Sequence, residues 1–343
     1  MKPFRKNLAI AIDGGGIKGV IVTQALAMVE EQSGIPLHER AGLTAGTSTG
    51  SIIAAGLASG LEAKTLNELY LGLGNDIFHT SLRSLLWPLF NYRYSNLPLK
   101  KALEKYLGDG LMAALWKAKP DMDMVITTFD VVENRTRFIK PYKSNYADWP
   151  VVKAVLASAA APTYFPAVEG RYIDGGVGSY GNPCYLAAYE ISFILGWKAE
   201  ETTLISIGTG RGPNAIKAGE VDHFLPLSYI NPILDAYQVS AADQQVGLVK
   251  KLFEGLDFRR FQVDLKRSIQ MDDASSIPEL TQYGEELGQM ILNDETDRAM
   301  GIIPEAMPGI TKSASRRQTN KSGSRRGSQT RTSAKPARAR RTR

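Results

Sequence analysis

Cysteine is almost missing from this chain: Cys184 stands alone among 343 residues. One thiol excludes an internal disulfide framework and any zinc site built from cysteine pairs, and it fits a reducing compartment. Histidine is nearly as scarce, with only His38, His79 and His223. No apolar run approaches the roughly 18–20 residues that a membrane-spanning helix needs, and residues 1–6 lead into a strand-like segment without a signal-peptide pattern. The expectation is a cytoplasmic protein with no transmembrane segment, in peripheral contact with a membrane at most. The string G-x-x-x-x-G-K-[ST] is absent, which removes the P-loop nucleotide enzymes. Neither carboxylates nor histidines recur at metal-ligand spacing, so no metal and no cofactor is expected.

Acidic charge is missing from one end. Twelve of the 41 Lys/Arg and none of the 35 Asp/Glu fall in residues 311–343, so the preceding chain is net acidic although the whole carries +6. That end is Ser, Thr, Arg, Lys, Gly and Ala with hardly a large apolar side chain, and it cannot offset its ordering entropy. A domain over residues 1–305 followed by a basic, Ser/Arg-rich disordered tail over 306–343 is therefore expected. A flexible polycation attracts polyanions. An anionic membrane surface is the favoured partner, nucleic acid the less favoured one, and a merely solvated extension the plain alternative.

What remains is a globular composition, 43% hydrophobic and 22% charged, long enough for a sizeable core. Asn7–Ile12 reads as a buried strand, Asp13–Gly19 as a glycine loop and Val20–Glu31 as a helix; Leu43 onward repeats strand, tight turn and helix to about Gly60. Two βα units so close together predict an α/β fold with a mostly parallel central sheet and helices on both faces. A helix is expected over Glu62–Leu73, neighbouring strands over Met124–Phe129 and Thr136–Ile139, and a small-residue helix over Val151–Ala161 ended by Pro162. A short strand at Arg171–Ile173 precedes a helix capped by Asn182-Pro183 that runs to about Leu195. Strands over Thr203–Ile207 and Phe258–Leu265, and helices over Asn231–Phe253 and Ile277–Leu292, complete the reading. Between Asn75 and Gly110 the aromatics Phe78, Trp87, Phe90, Tyr92 and Tyr94 crowd together, as a lid or interfacial surface or as the packing of a helical insertion.

Three stretches carry chemistry. Gly46-Thr47-Ser48-Thr49-Gly50 is a G-x-S-x-G pentapeptide at a strand-to-helix turn, where the flanking glycines allow a sharp bend that projects Ser48. Asp13-Gly14-Gly15-Gly16-Ile17-Lys18-Gly19 places consecutive glycines at a helix start, where backbone N–H groups, those of Gly15 and Gly16, can converge on a developing oxyanion. Asp174-Gly175-Gly176 ends a strand and offers a carboxylate as base. Read alone, Gly14-x-Gly16-x-x-Gly19 also matches a dinucleotide fingerprint, but Asp13 would then face a pyrophosphate, and Ser48 and Asp174 would have no role. A nucleotide- or sugar-phosphate-binding protein using the Asp13–Gly19 loop stays the competing class; in sugar kinases such a turn continues into a hairpin, whereas here a helix follows. The order Ser, Asp, His of a triad would need His223, which has no catalytic flank, so a Ser48–Asp174 dyad is left.

Taken together, D-G-G-G-x-[RK]-G at Asp13–Gly19, G-x-S-x-G at Gly46–Gly50 and D-G-[GA] at Asp174–Gly176, in this order, resemble the patatin-like phospholipase family. Ala160–Pro166 and Ile205–Gly210 are similar to family sequence as well. The resemblance implies a serine–aspartate lipid acyl hydrolase with Ser48 as nucleophile, Asp174 as base, the Gly14–Gly16 loop as oxyanion hole and a lipid as substrate. Lys18 falls where the family has Arg or Lys. Ser51 replaces the glycine often found after the pentapeptide, and Tyr180-Gly181-Asn182-Pro183 differs from the commoner Asn-Asn-Pro; both bear on the shape of the acyl pocket.

Overall fold

Asn7–Ile12 alternates large and small apolar side chains, and the alternation seats it as the central strand, β1. Leu8, Ile10 and Ile12 face one helical layer; Ala9 and Ala11 face the other and let it approach closely. With both faces covered the strand reads as a continuous apolar run, and each large side chain it buries is worth about 1.5–3 kcal/mol. The computed structural model describes residues 1–77, 91–213, 216, 219, 222 and 230–301. In chain order, β1 and a tight turn at Gly16–Lys18 are followed by α1 (Gly19–Ser33), α2 (Leu37–Arg40), β2 (Leu43–Thr47), α3 (Thr49–Ala58) and α4 (Ala63–Ile77). Next come α5 (Leu97–Leu107), α6 (Met112–Ala118), β3 (Asp123–Asp130), β4 (Arg135–Ile139), α7 (Val151–Ser158) and β5 (Tyr172–Asp174). The last group is α8 (Cys184–Tyr189), β6 (Thr202–Ile207), α9 (Ile230–Leu252), β7 (Asp257–Phe261) and α10 (Ile277–Asn293).

The strands form one sheet in the order β4-β3-β2-β1-β6-β7, with β5 also paired to β3. β1, β2, β3, β6 and β7 are parallel, while β4 and β5 run antiparallel to β3. α1, α3, α4, α7 and α10 build the core over Leu8, Ile10 and Ile12; α8 and part of α9 cover the opposite face around Ala9, Ala11 and Ala45. This is the α/β architecture that the paired βα units imply. Because the central strands are parallel, the loops after β1 and β2 leave the sheet together at the carboxyl ends of the strands, the usual place for a ligand site in open α/β sheets.

Several boundaries differ from the expectation. α7 stops at Ser158, three residues short of Ala161, because the Ala160 carbonyl is needed as acceptor for the Asp174 N–H (3.0 Å). At α8 the expected cap is present, with Asn182 Oδ1 accepting the Cys184 N–H behind Pro183, but the helix passes into a wider π-turn over Glu190–Ile194. β7 ends at Phe261 and not at Leu265. α5 falls in the 75–110 segment for which a helical insertion is one of the expectations, whereas α6 has no counterpart in the sequence pattern. Of the aromatic-rich segment, Tyr92 and Tyr94 are described, whereas Phe78, Trp87 and Phe90 lie outside the described residues, as do His79, His223 and the tail. No helix among the described residues is long and apolar enough to cross a membrane.

Candidate active site

Ser48 sits between β2 and α3 with φ 55° and ψ −124°, a left-handed conformation that a residue with a side chain adopts only under constraint. The flanking glycines supply the room. A Cβ on Gly46 would stand 2.2 Å from the Gly50 carbonyl oxygen, and one on Gly50 would stand 2.2 Å from that of Ile12. The turn is braced from both sides: the Ser48 N–H donates to Ser158 Oγ (2.9 Å), and the Ser51 N–H and hydroxyl both donate to the Ser48 carbonyl (2.9 and 2.6 Å). Ser51, the departure from the family glycine, thus fastens the bend. α3 starts immediately after Ser48, and the leading N–H groups of a helix have no acceptor within it.

Asp174 reaches Ser48 through the register of β3. β2 ends with Thr47 opposite Thr127, and β5 ends with Asp174 opposite Thr128, the next residue of the same strand. β4 occupies the other edge of β3 over these residues. β2 and β5 therefore share one edge and run into each other end to end, joining residues 126 apart in sequence to a single point. The approach is tight enough that a Cβ on Gly175 would stand 2.1 Å from Thr127 Oγ1. The Thr128 hydroxyl donates to the Ile173 and Ala157 carbonyls (2.7 and 3.0 Å), tying β5 to α7 at this junction.

The Asp174 carboxyl is buried, and burial pushes its pKa up to about 6, against the opposing hydrogen bonds from the Ser48 hydroxyl and the Gly176 N–H. The latter donates to Asp174 Oδ1 at 2.8 Å. A carboxylate held near 6 beside a serine hydroxyl is a far better proton acceptor near neutral pH than an exposed aspartate.

The glycine loop after β1 lies against the same serine: a Cβ on Gly14 would stand 3.2 Å from Ser48 Cβ. Its three N–H groups are not equivalent. The Gly14 N–H donates to the Gly181 carbonyl (2.9 Å) and is already occupied, which leaves those of Gly15 and Gly16 as the candidate donors of the loop. Gly15 and Gly16 have no N–H acceptor among the described residues. The Lys18 N–H closes the turn on the Gly15 carbonyl (3.3 Å). Gly19 opens α1 with Tyr70 and Thr49 packed where its side chain would be. Asp13 does not face into the loop as a repelling charge; its carboxylate is held by both terminal nitrogens of Arg260 (2.8 and 2.5 Å).

Beside Ser48 lies a pocket open to solvent, walled by Ile17, Ile52, Leu99, Tyr164, Phe165 and Met271. Its walls suit an apolar chain, and Ser48 and Gly16 line it as well. His38 lies in α2, before the start of β2 and away from Ser48, beside Glu39. Among the described residues no three His, Cys, Asp or Glu side chains are grouped to hold a metal. Sequence reasoning missed Ser158, Thr209, Met271 and Arg260. Thr209 left a signal, inside the family-like stretch Ile205–Gly210, and so did Arg260, as half of an arginine pair inside the strand Asp257–Phe261.

A family model described as patatin-like phospholipase matches residues 10–188, which include all three motifs. Intracellular phospholipase A2 of Caenorhabditis elegans is 30% identical over 250 residues, covering 68% of this chain and 22% of that protein. The 85/88 kDa calcium-independent phospholipase A2 of Mus musculus is 27% identical over 245 residues, or 63% of this chain and 29% of its own length. The cGAMP-activated phospholipase of Escherichia coli (strain TW11681) is 28% identical over 200 residues, 53% of this chain and 55% of the relative. The matched stretch thus spans less than two thirds of each of these proteins.

Proposed function

Because the chain belongs to the patatin-like phospholipase family, we propose that it is a lipid acyl hydrolase of the phospholipase A type, cleaving carboxylic esters through an acyl-Ser48 intermediate. The observation that carries this reading is the end-to-end meeting of β2 and β5 on β3, which brings the buried Asp174 carboxyl up to the turn that holds the strained Ser48. Ser48 Oγ attacks the ester carbonyl carbon while its proton passes to Asp174. The carbonyl oxygen becomes an oxyanion that receives the Gly15 and Gly16 N–H groups. As the tetrahedral centre collapses, the bond to the glycerol oxygen breaks and Asp174 returns the proton to that oxygen, releasing a lysophospholipid. Water then takes the place of the alcohol: Asp174 accepts its proton, the oxygen attacks the acyl carbon, the bond to Ser48 breaks and the proton returns to Ser48 as the fatty acid leaves.

The test is active-site labelling with a fluorophosphonate, followed by fatty-acid release from a phospholipid panel. Covalent label on Ser48 and equimolar fatty acid and lysophospholipid are expected. No label on Ser48, together with saturable nucleotide binding, would return the glycine loop to phosphate recognition.

The cavity adds a second expectation. Ile52 and Leu99 are nearly inaccessible and line it, so an aromatic ring there takes volume from the acyl chain. Ile52→Phe is expected to lower kcat/KM for long-chain esters about 10²-fold relative to butyrate esters, since excluding four methylenes forfeits about 3 kcal/mol at ~0.8 kcal/mol each. A chain-length profile on p-nitrophenyl esters checks this; an unchanged profile assigns the acyl chain elsewhere.

A further inference from the structure

The glycine loop is fastened almost wholly by residues from the second half of the chain. The Asp13 N–H donates to the Ile207 carbonyl at the end of β6 (3.0 Å), and the Gly14 N–H to the Gly181 carbonyl. The Thr209 hydroxyl donates to the Gly14 carbonyl (2.7 Å) and lies directly against Gly15, where a Cβ would meet Thr209 Oγ1 at 2.3 Å. Arg260, on β7, is 2% accessible. Its guanidinium takes the Asp13 carboxylate in a two-pronged grip and also donates to Ser206 Oγ (2.8 Å). A buried arginine is expensive to desolvate and does not by itself favour folding over an apolar replacement. Its planar fork, however, fixes the direction of a carboxylate as a lysine cannot. Asp13 stands two residues before Gly15, the first of the N–H groups that are to receive the oxyanion, and Arg260 and Thr209 both lie outside residues 10–188 of the family match.

We infer that Arg260, acting through Asp13, and Thr209, acting through Gly14, are positioning residues that hold the Gly15 and Gly16 N–H groups at the point where the oxyanion forms. Neither touches the substrate. Their effect falls on the transition state, because the ground-state carbonyl does not yet carry the charge that those groups meet. A displacement of about 1 Å in such a donor pair is enough to lose roughly 10² in rate. The inference rests on the hydrolase reading above.

The test measures kcat and KM on a soluble p-nitrophenyl butyrate for the full chain. Arg260→Met is expected to lower kcat about 10²-fold with KM within about threefold of the unaltered enzyme. Arg260→Lys recovers part of the loss, and Asp13→Asn gives the same loss as Arg260→Met, with the double variant no worse than either. Thr209→Val lowers kcat about tenfold at unchanged KM, and Thr209→Ser restores it. Arg260→Met leaves Asp13 unpaired, so the double variant Asp13→Asn/Arg260→Met, which removes both charges, is assayed beside it. Thr209→Val alters no charge and decides the matter if neither arginine variant folds. Folded variants with unaltered kcat, or losses confined to KM, overturn the positioning role. If the unaltered enzyme hydrolyses no ester and Ser48 takes no fluorophosphonate, the hydrolase reading falls and takes this inference with it. If Ser48-dependent hydrolysis is intact while the Arg260 and Thr209 variants match it, only the inference falls.

Discussion

Ser48→Ala and Asp174→Asn are each expected to remove turnover of both a soluble ester and a phospholipid, by roughly 10⁴–10⁶ in kcat, and the double variant is expected to be no slower than either. The argument is geometric. A hydroxyl without a base nearby is a weak nucleophile, and the base that the site offers is the carboxyl that β5 delivers against β2. Removing either partner disables one proton transfer, so the second loss adds nothing. Residual turnover would reflect the Gly15 and Gly16 donors and the cavity acting alone. Both substitutions suit the site: Ser48→Ala deletes a single heavy atom, and asparagine keeps an oxygen to accept the Gly176 N–H. Steady-state kinetics on folded single and double variants check the expectation. Turnover within tenfold of the unaltered enzyme in either single variant would falsify the dyad.

The site was legible in the sequence as three strings and illegible as an assembly. Apolar alternation in residues 7–12, the small residues around Ser48 and the position of Asp174 after a short strand all follow from local chemistry. Local pattern cannot say that β5 runs antiparallel on the edge of β3 that β2 leaves free, because that choice is made by tertiary pairing. The early end of α7 has the same origin. Val151–Ala161 favours helix throughout, yet the chain straightens after Ser158 because Ser158 must accept the Ser48 N–H and Ala160 the Asp174 N–H. Arg260 was hidden for a different reason. An arginine inside a short strand signals a buried partner, but nothing local identifies that partner as an aspartate 247 positions away. From the sequence Asp13 is a charge that would repel a phosphate; its ion pair with Arg260 shows that it is a structural anchor instead, and the case against a nucleotide now rests on the apolar cavity beside Ser48.

One aspartate ties activity and stability to opposite pH trends. Burial raises Asp174 from 3.8 to about 6, and the base must be ionised, so kcat/KM is expected to fall about tenfold for each step of one in pH below about 6 and to level off above it. Stability runs the other way. The folded protein holds the Asp174 proton between pH 3.8 and about 6 where the unfolded chain has released it, so the native state binds more protons and loses stability as pH rises through that window. At pH 7 both states are ionised, and the accumulated penalty is about 3 kcal/mol, since each tenfold change in proton affinity corresponds to about 1.36 kcal/mol. Asp174→Asn has no charge to desolvate. The inactive variant is therefore expected to be more stable than the unaltered enzyme by about 3 kcal/mol at pH 7–8, and equal to it near pH 3.5 and below. Urea unfolding of the two proteins across pH 3.5–8 measures the difference directly. A constant difference over that range, or a less stable asparagine variant at neutral pH, would show that Asp174 is not held in the desolvated state that makes it a base. The unaltered protein would then need another proton acceptor for Ser48.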